Sequence, residues 1–282
     1  MSAYLGVDLA WGLGTAGRAP NETGLVAMEA DGTITDAGWA RGVDDVTTWV
    51  AEHLGPRSLI AVDASLVVTN PTGIRESERQ VGQRYGRWKV AANPTNQASA
   101  ASAGSRLLDR LTALGVGYVS DTTSMHSRTG PAMFECYPYT TLVGVEELGY
   151  DVERPRYKRL DFRVPAAEAR ARRAEAFDEL VRRLRETPLD PPLQLDSNPL
   201  TGGSPTRPCC TVRRTSTART CSTVPCVPGR RRSGSVTATS ACRSWVATWA
   251  SRPTRWTRQA AGRSWWRLRA RRSGARAARV DR

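Results

Sequence analysis

A single cysteine, Cys136, stands in the first 200 residues, so no disulfide can form within that stretch. No apolar run approaches the length of a membrane span. The N-terminus has no basic segment leading into a long apolar run, because Asp8 interrupts the stretch from Tyr4 to Trp11. The expectation is a soluble cytoplasmic protein. No internal repeat is visible. The two histidines, His53 and His126, lack a matching Ser or Cys nucleophile motif, which argues against triad chemistry.

Acidic residues all but vanish after position 200. Residues 201–282 hold 19 Arg and one acid, Asp281, whereas residues 1–200 carry a net charge of −4. The basic character of the whole chain, +14, therefore belongs to the last 82 residues. That segment also has one Leu, Leu268, and no Ile, Phe, Tyr or Lys, yet it holds five of the six Cys and five of the nine Trp. No ordinary core is built from such a mixture, and disordered tails are poor in Trp and Cys.

The genetic code offers an explanation. Joining each residue's third base to the first two of its neighbour, Trp245 before Val246 and Trp249 before Ala250 each force Gly, while Trp256 before Thr257 forces Asp. The run Ser222 to Gly229 becomes compatible with Asp-Gly-Ala-Leu-Cys-Ala-Trp, a sequence with helical apolar spacing. Residues 201–282 thus read as a frameshifted, disordered Arg-rich tail whose charge says nothing about partners. Its cysteines show no paired short spacing with His partners, so they are not read as metal ligands.

The first 200 residues suffice for one α/β domain. Tyr4 to Ala10 reads as a strand buried on both faces, with Asp8 near its carboxyl end. Segments around 24–29 and 33–39 flank Asp31-Gly32, a hairpin-turn dipeptide, giving three antiparallel strands. Val46, Trp49, Val50 and Leu54 recur at helical spacing. Leu59 to Asp63 is a second buried strand that also finishes on an acid. Residues 76–97 read as a short helix and a loop, and a helix carrying Leu107, Leu108, Leu111 and Leu114 ends at Gly115. Gly117 to Ser120 reads as a short strand, and Met133 to Pro138 as a strand closed by proline. The last helix begins at Pro165, with Phe177, Leu180, Val181 and Leu184 on one face.

An acid at the end of a core strand is costly to bury unless neutralised, and two such strands bring two acids together. In open α/β sheets ligands bind beyond the carboxyl ends of the strands, where Asp8 and Asp63 fall if their strands are parallel neighbours. A divalent cation, Mg2+ or Mn2+, suits hard carboxylate oxygens there. The competing reading is that each Asp caps the loop after it.

Gly6-Val7-Asp8-Leu9-Ala10-Trp11-Gly12, Ile60 to Leu66 with Asn70-Pro71-Thr72-Gly73-Ile74-Arg75, and Phe134-Glu135-Cys136-Tyr137-Pro138 resemble, in this order, motifs of the bacterial family of unknown function numbered 429. The resemblance covers roughly residues 3–195. That family is regarded as predicted nucleases, which implies a ribonuclease-H-like mixed five-stranded sheet flanked by helices. Its first three strands would be antiparallel, and its first and fourth parallel. It also implies a two-metal nuclease acting on nucleic acid, with Asp8 and Asp63 as catalytic metal ligands and no covalent nucleophile. Glu135 would be a further catalytic residue, either a ligand or a group that orients one, unless it pairs with Arg75. Arg75 would meet a substrate phosphate, unless it serves a structural ion pair. The family's pattern expects an Asp on a last helix, where this chain has Thr223 to Pro228. The chain as written would therefore lack that helix and a metal ligand, and be poorly stable and weakly active. The rivals are an actin- or sugar-kinase-like phosphotransferase, with Gly12, Gly14 and Thr15 cradling phosphate, and a non-catalytic binding module or pseudogene product.

Overall fold

A computed structural model describes residues 4–202, apart from 100–102, 122–124, 126–127 and 159–160. The expectations for the tail and for the missing last helix lie outside the described residues.

The fold begins with an antiparallel meander of β1 (Tyr4–Asp8), β2 (Glu22–Met28) and β3 (Ile34–Arg41). The turn between β2 and β3 closes as the Asp31-Gly32 dipeptide suggests. Gly32 has φ +90°, its amide donates to the Glu29 carbonyl, and Asp31 Oδ1 accepts from the Thr33 amide. A Cβ on Gly32 would lie 2.1 Å from the Pro192 carbonyl oxygen, so both the positive φ and the close approach require glycine.

Helix α1 (Gly42–His53) then crosses over to β4 (Leu59–Val62), which runs parallel to β1. Helices α2 (Glu76–Tyr85) and α3 (Ala103–Ala113) lead to β5 (Gly117–Tyr118) and β6 (Ala132–Glu135), both parallel to their neighbours. The chain continues through α4 (Pro138–Gly144) to the long α5 (Ala166–Glu186). The sheet order is β3-β2-β1-β4-β6-β5, six strands rather than five. The strand beyond the five that the family resemblance implies is the two-residue β5 at the sheet edge, within the short strand read at Gly117 to Ser120. The strand expected to run to Pro138 stops at Glu135, and Pro138 occupies the first turn of α4. There its fixed φ and missing N–H cost nothing.

Both faces of the sheet are covered, which explains the unbroken burial of Leu59 to Val62. Leu5, Val7, Ile60 and Val62 face α1 through Val43, Val46 and Val50, and α3 through Leu107 and Leu111. The alternate residues Val26, Met28 and Ala61 face α4 and α5 through Leu142, Leu180 and Leu184. Leu107 is wholly buried in the first of these layers. Leu107→Ala should lower unfolding stability by about 2–5 kcal/mol, read from the urea midpoint. Among the described residues no helix is long and apolar enough to cross a membrane.

Candidate functional site

The parallel pairing of β1 and β4 sets Val7 opposite Val62, and the Asp63 amide continues the ladder by donating to the Val7 carbonyl at 2.8 Å. Asp8, the last residue of β1, and Asp63, the residue after β4, therefore stand side by side at the carboxyl edge of the sheet. Both side chains are largely buried, 21% and 14% exposed. A single cation reaches both of them. Lys158 Nζ donates to Asp63 Oδ2 at 3.0 Å and lies 3.6 Å from Asp8 Oδ2.

The electrostatics follow from this crowding. Burial, the largest cause, drives the Asp8 carboxyl up to about 6; Lys158 opposes the rise and the neighbouring Asp63 adds to it. Burial would lower the Lys158 ammonium, but the attraction of Asp8 and Asp63 outweighs it and holds the group well above the usual lysine range. Lys158 is thus charged at any ordinary pH, and the Asp8 carboxyl takes up a proton in mild acid.

Glu135 and Arg75 form a second cluster. Arg75 Nη1 donates to both Glu135 oxygens at 2.9 and 3.0 Å, and Glu135 Oε1 also accepts from the amides of Leu66 and Val67. Arg75 Nε donates to Glu78 at 2.7 Å, its Nη1 also reaches the Val67 carbonyl, and its Nη2 donates to Ser65 Oγ at 2.7 Å. Each of its three nitrogens is engaged by protein. Glu78 in turn accepts from the amides of Arg75 and Thr95, closing the N-terminal turn of α2. Burial alone would raise Glu78, but the Arg75 guanidinium and the Thr95 amide hold it below the ordinary glutamate range. Glu135 is paired with Arg75, the structural pairing that the sequence offers beside a ligand or ligand-orienting role. Arg75 lines the cleft and is bonded to Glu78, Glu135 and Ser65, the structural ion pairing that the sequence offers beside a phosphate contact.

This network lines an open cleft of about 930 Å³ beyond β4 and β6, which Asp63, Trp11, Tyr118, Phe134 and Tyr137 also line. Helix α3 sits so close behind the cleft that a Cβ on Gly104 would fall 2.1 Å from the Ser65 carbonyl oxygen. Trp11 and Tyr118 are 43% and 37% exposed, large rings left at the rim.

Lys158 escapes a motif search because it lies in an irregular segment rich in Arg and Pro. One signal was available: of the 41 basic residues only two, Lys89 and Lys158, are lysine. His53 packs on Trp49 and bridges Asp36 and the Trp49 carbonyl, remote from any nucleophile arrangement. His126 lies outside the described residues. The glycine-rich segment folds on itself, with Thr15 and Arg18 exchanging backbone hydrogen bonds, so the Thr15 amide is already used. Among the described residues no group of three or more His, Cys, Asp or Glu could hold a metal; the acid pair stands as two carboxylates.

No protein family, curated protein or solved structure matches the chain. Its fold class is α/β, a six-stranded mixed sheet flanked by helices.

Proposed function

We propose that the chain is a metal-dependent phosphodiester hydrolase with a ribonuclease-H-like fold, acting on nucleic acid. The observation that carries this reading is the pair Asp8 and Asp63, side by side at the ends of parallel β1 and β4 and both within reach of one cation. The residues fit a divalent ion in chemistry: two hard, mostly buried carboxylates already gathered around a positive charge. Magnesium or manganese held by Asp8 and Asp63 would supply Lewis-acid stabilisation to the charge that develops on a scissile phosphate. The chain's own residues do the rest of the positioning. Asp63 lines the cleft, and the Glu135–Arg75–Glu78 cluster fixes the loop that lines it as well. The exposed rings of Trp11 and Tyr118 offer flat faces on which unpaired bases can stack.

A second reading, a non-catalytic fold, is favoured by Lys158 itself, since an ammonium already offsets part of the acids' charge without any metal. The experiment that decides is a cleavage assay on single-stranded and branched DNA and RNA, with manganese or with chelator. It is run on the chain as written, on a frame-restored version, and on the restored version carrying Asp63→Asn. Cleavage should require metal, be strongest in the restored chain and disappear in the variant. Metal-independent cleavage, or none in the restored chain, returns the protein to the non-catalytic class.

A further inference from the structure

We propose that Lys158 is an internal counter-cation occupying the place of a divalent ion between Asp8 and Asp63, so that metal entry requires its ammonium to swing out. The inference rests on the metal-dependent reading above and assigns a gatekeeping role to a residue outside every motif. Lys158 Nζ stands 3.0 and 3.6 Å from one oxygen of each acid. A dication bound by the same two oxygens would lie within a few ångströms of the ammonium in a part-buried pocket. Like charges that close repel, so each disfavours the presence of the other.

The surroundings allow the side chain, rather than the backbone, to move. Tyr157, the preceding residue, is 1% exposed and packs against Tyr139 and Phe177 at ring separations of 5.6 and 6.5 Å. Arg154 ties the segment down through the carbonyls of Trp88 and Lys89 and lies over the Tyr139 ring. Only the four-carbon stem of Lys158 lies beyond these anchors, and its side chain is 27% exposed, so a path to solvent exists. A compact ammonium on a flexible stem suits this task better than the forked guanidinium used almost everywhere else in the chain. With Lys158 in place the acids are held together at low metal; with metal present the freed ammonium becomes a cation at the mouth of the site.

Two measurements on the full chain test this. First, manganese binding is followed by electron paramagnetic resonance of the free ion for wild type, Lys158→Met and Lys158→Arg, both as written and frame-restored, with circular dichroism confirming that each is folded. Lys158→Met should bind at least tenfold more tightly than wild type, and Lys158→Arg no more tightly than wild type. Second, wild type is treated with an amine-acetylating reagent, with chelator or with manganese, and read by mass spectrometry. Lys89, 62% exposed and paired with Glu153, serves as the internal reference. Acetylation of Lys158 relative to Lys89 should rise several-fold with manganese. Equal manganese affinity in wild type and Lys158→Met, or unchanged Lys158 labelling in metal-bound wild type, overturns the gate while leaving the metal site standing. Absence of binding in all three proteins, both as written and frame-restored, overturns both the gate and the metal-dependent reading.

Discussion

Arg75→Ala should destabilise the protein by about 3–5 kcal/mol at neutral pH, the range for a buried ion pair deprived of one partner. Arg75 is 14% exposed and stands between Glu78, 4% exposed, and Glu135, 21% exposed. Its removal leaves two carboxylates facing each other across the space the guanidinium filled. It also strips Ser65 Oγ and the Val67 carbonyl of a donor. The pH dependence has a defined sign. Glu78 is held below its ordinary value of 4.5, so its pairing contributes stability above that value, and this is lost as pH falls through the lowered folded value. The gap between wild type and Arg75→Ala should therefore be widest near neutrality and shrink in acid. Urea unfolding at a series of pH values measures it. Arg75→Lys should recover only part of the loss, because one ammonium cannot satisfy Glu78, Glu135 and Ser65 at their separate directions. A difference below roughly 1 kcal/mol for Arg75→Ala would show that the cluster is not what secures the loop.

Asp8→Asn should move stability and function in opposite directions. The Asp8 carboxyl titrates near 6 in the folded protein against 3.8 as a free side chain. A raised acid favours the folded state below its unfolded value, and that advantage is lost as pH climbs through about 6. Above this the ionised form weighs against folding by about 1–3 kcal/mol. Asparagine, neutral at every pH, escapes that burden, while Lys158 retains its 3.0 Å bond to Asp63. The variant should melt at the same temperature as wild type or higher at pH 8, with the difference vanishing near pH 4. In the frame-restored chain the same change should reduce manganese affinity and cleavage by more than the roughly 10–100-fold typical of groups one layer removed from a metal. A variant that loses stability at pH 8 would place Asp8 among the residues that hold the fold rather than among those kept at its expense.

The fold was legible wherever burial dictates pattern. Leu5 to Val7 and Leu59 to Val62 are uninterrupted because helices cover both faces of the sheet, and Asp31-Gly32 announces its turn because only glycine tolerates the φ and the contact with Pro192. Asp8 and Asp63 stood out for the converse reason, as charges where apolar residues are the rule. Less legible were features set by distant contacts. The short strand read at Gly117 to Ser120 forms only over Gly117–Tyr118, its extent set by pairing with β6, and α4 hides behind Pro138, which reads equally as a strand terminator or a helix opener. Lys158 meets its partners across 95 and 150 positions of sequence, in a segment with no periodicity to mark it. Glu135 and Arg75 were both visible, but the choice between substrate contact and mutual pairing depended on how the loop after β4 folds back over β6.

One consequence of the cleft's wiring concerns how a nucleic acid would be released. Arg75 and Arg79, the two arginines on its wall, already face Glu78, Glu135 and Glu76, so a strand entering there would displace few condensed counterions. Sodium chloride, ordinarily the first means of washing such a ligand off a protein, would loosen it little, and a chelator would be the effective eluent.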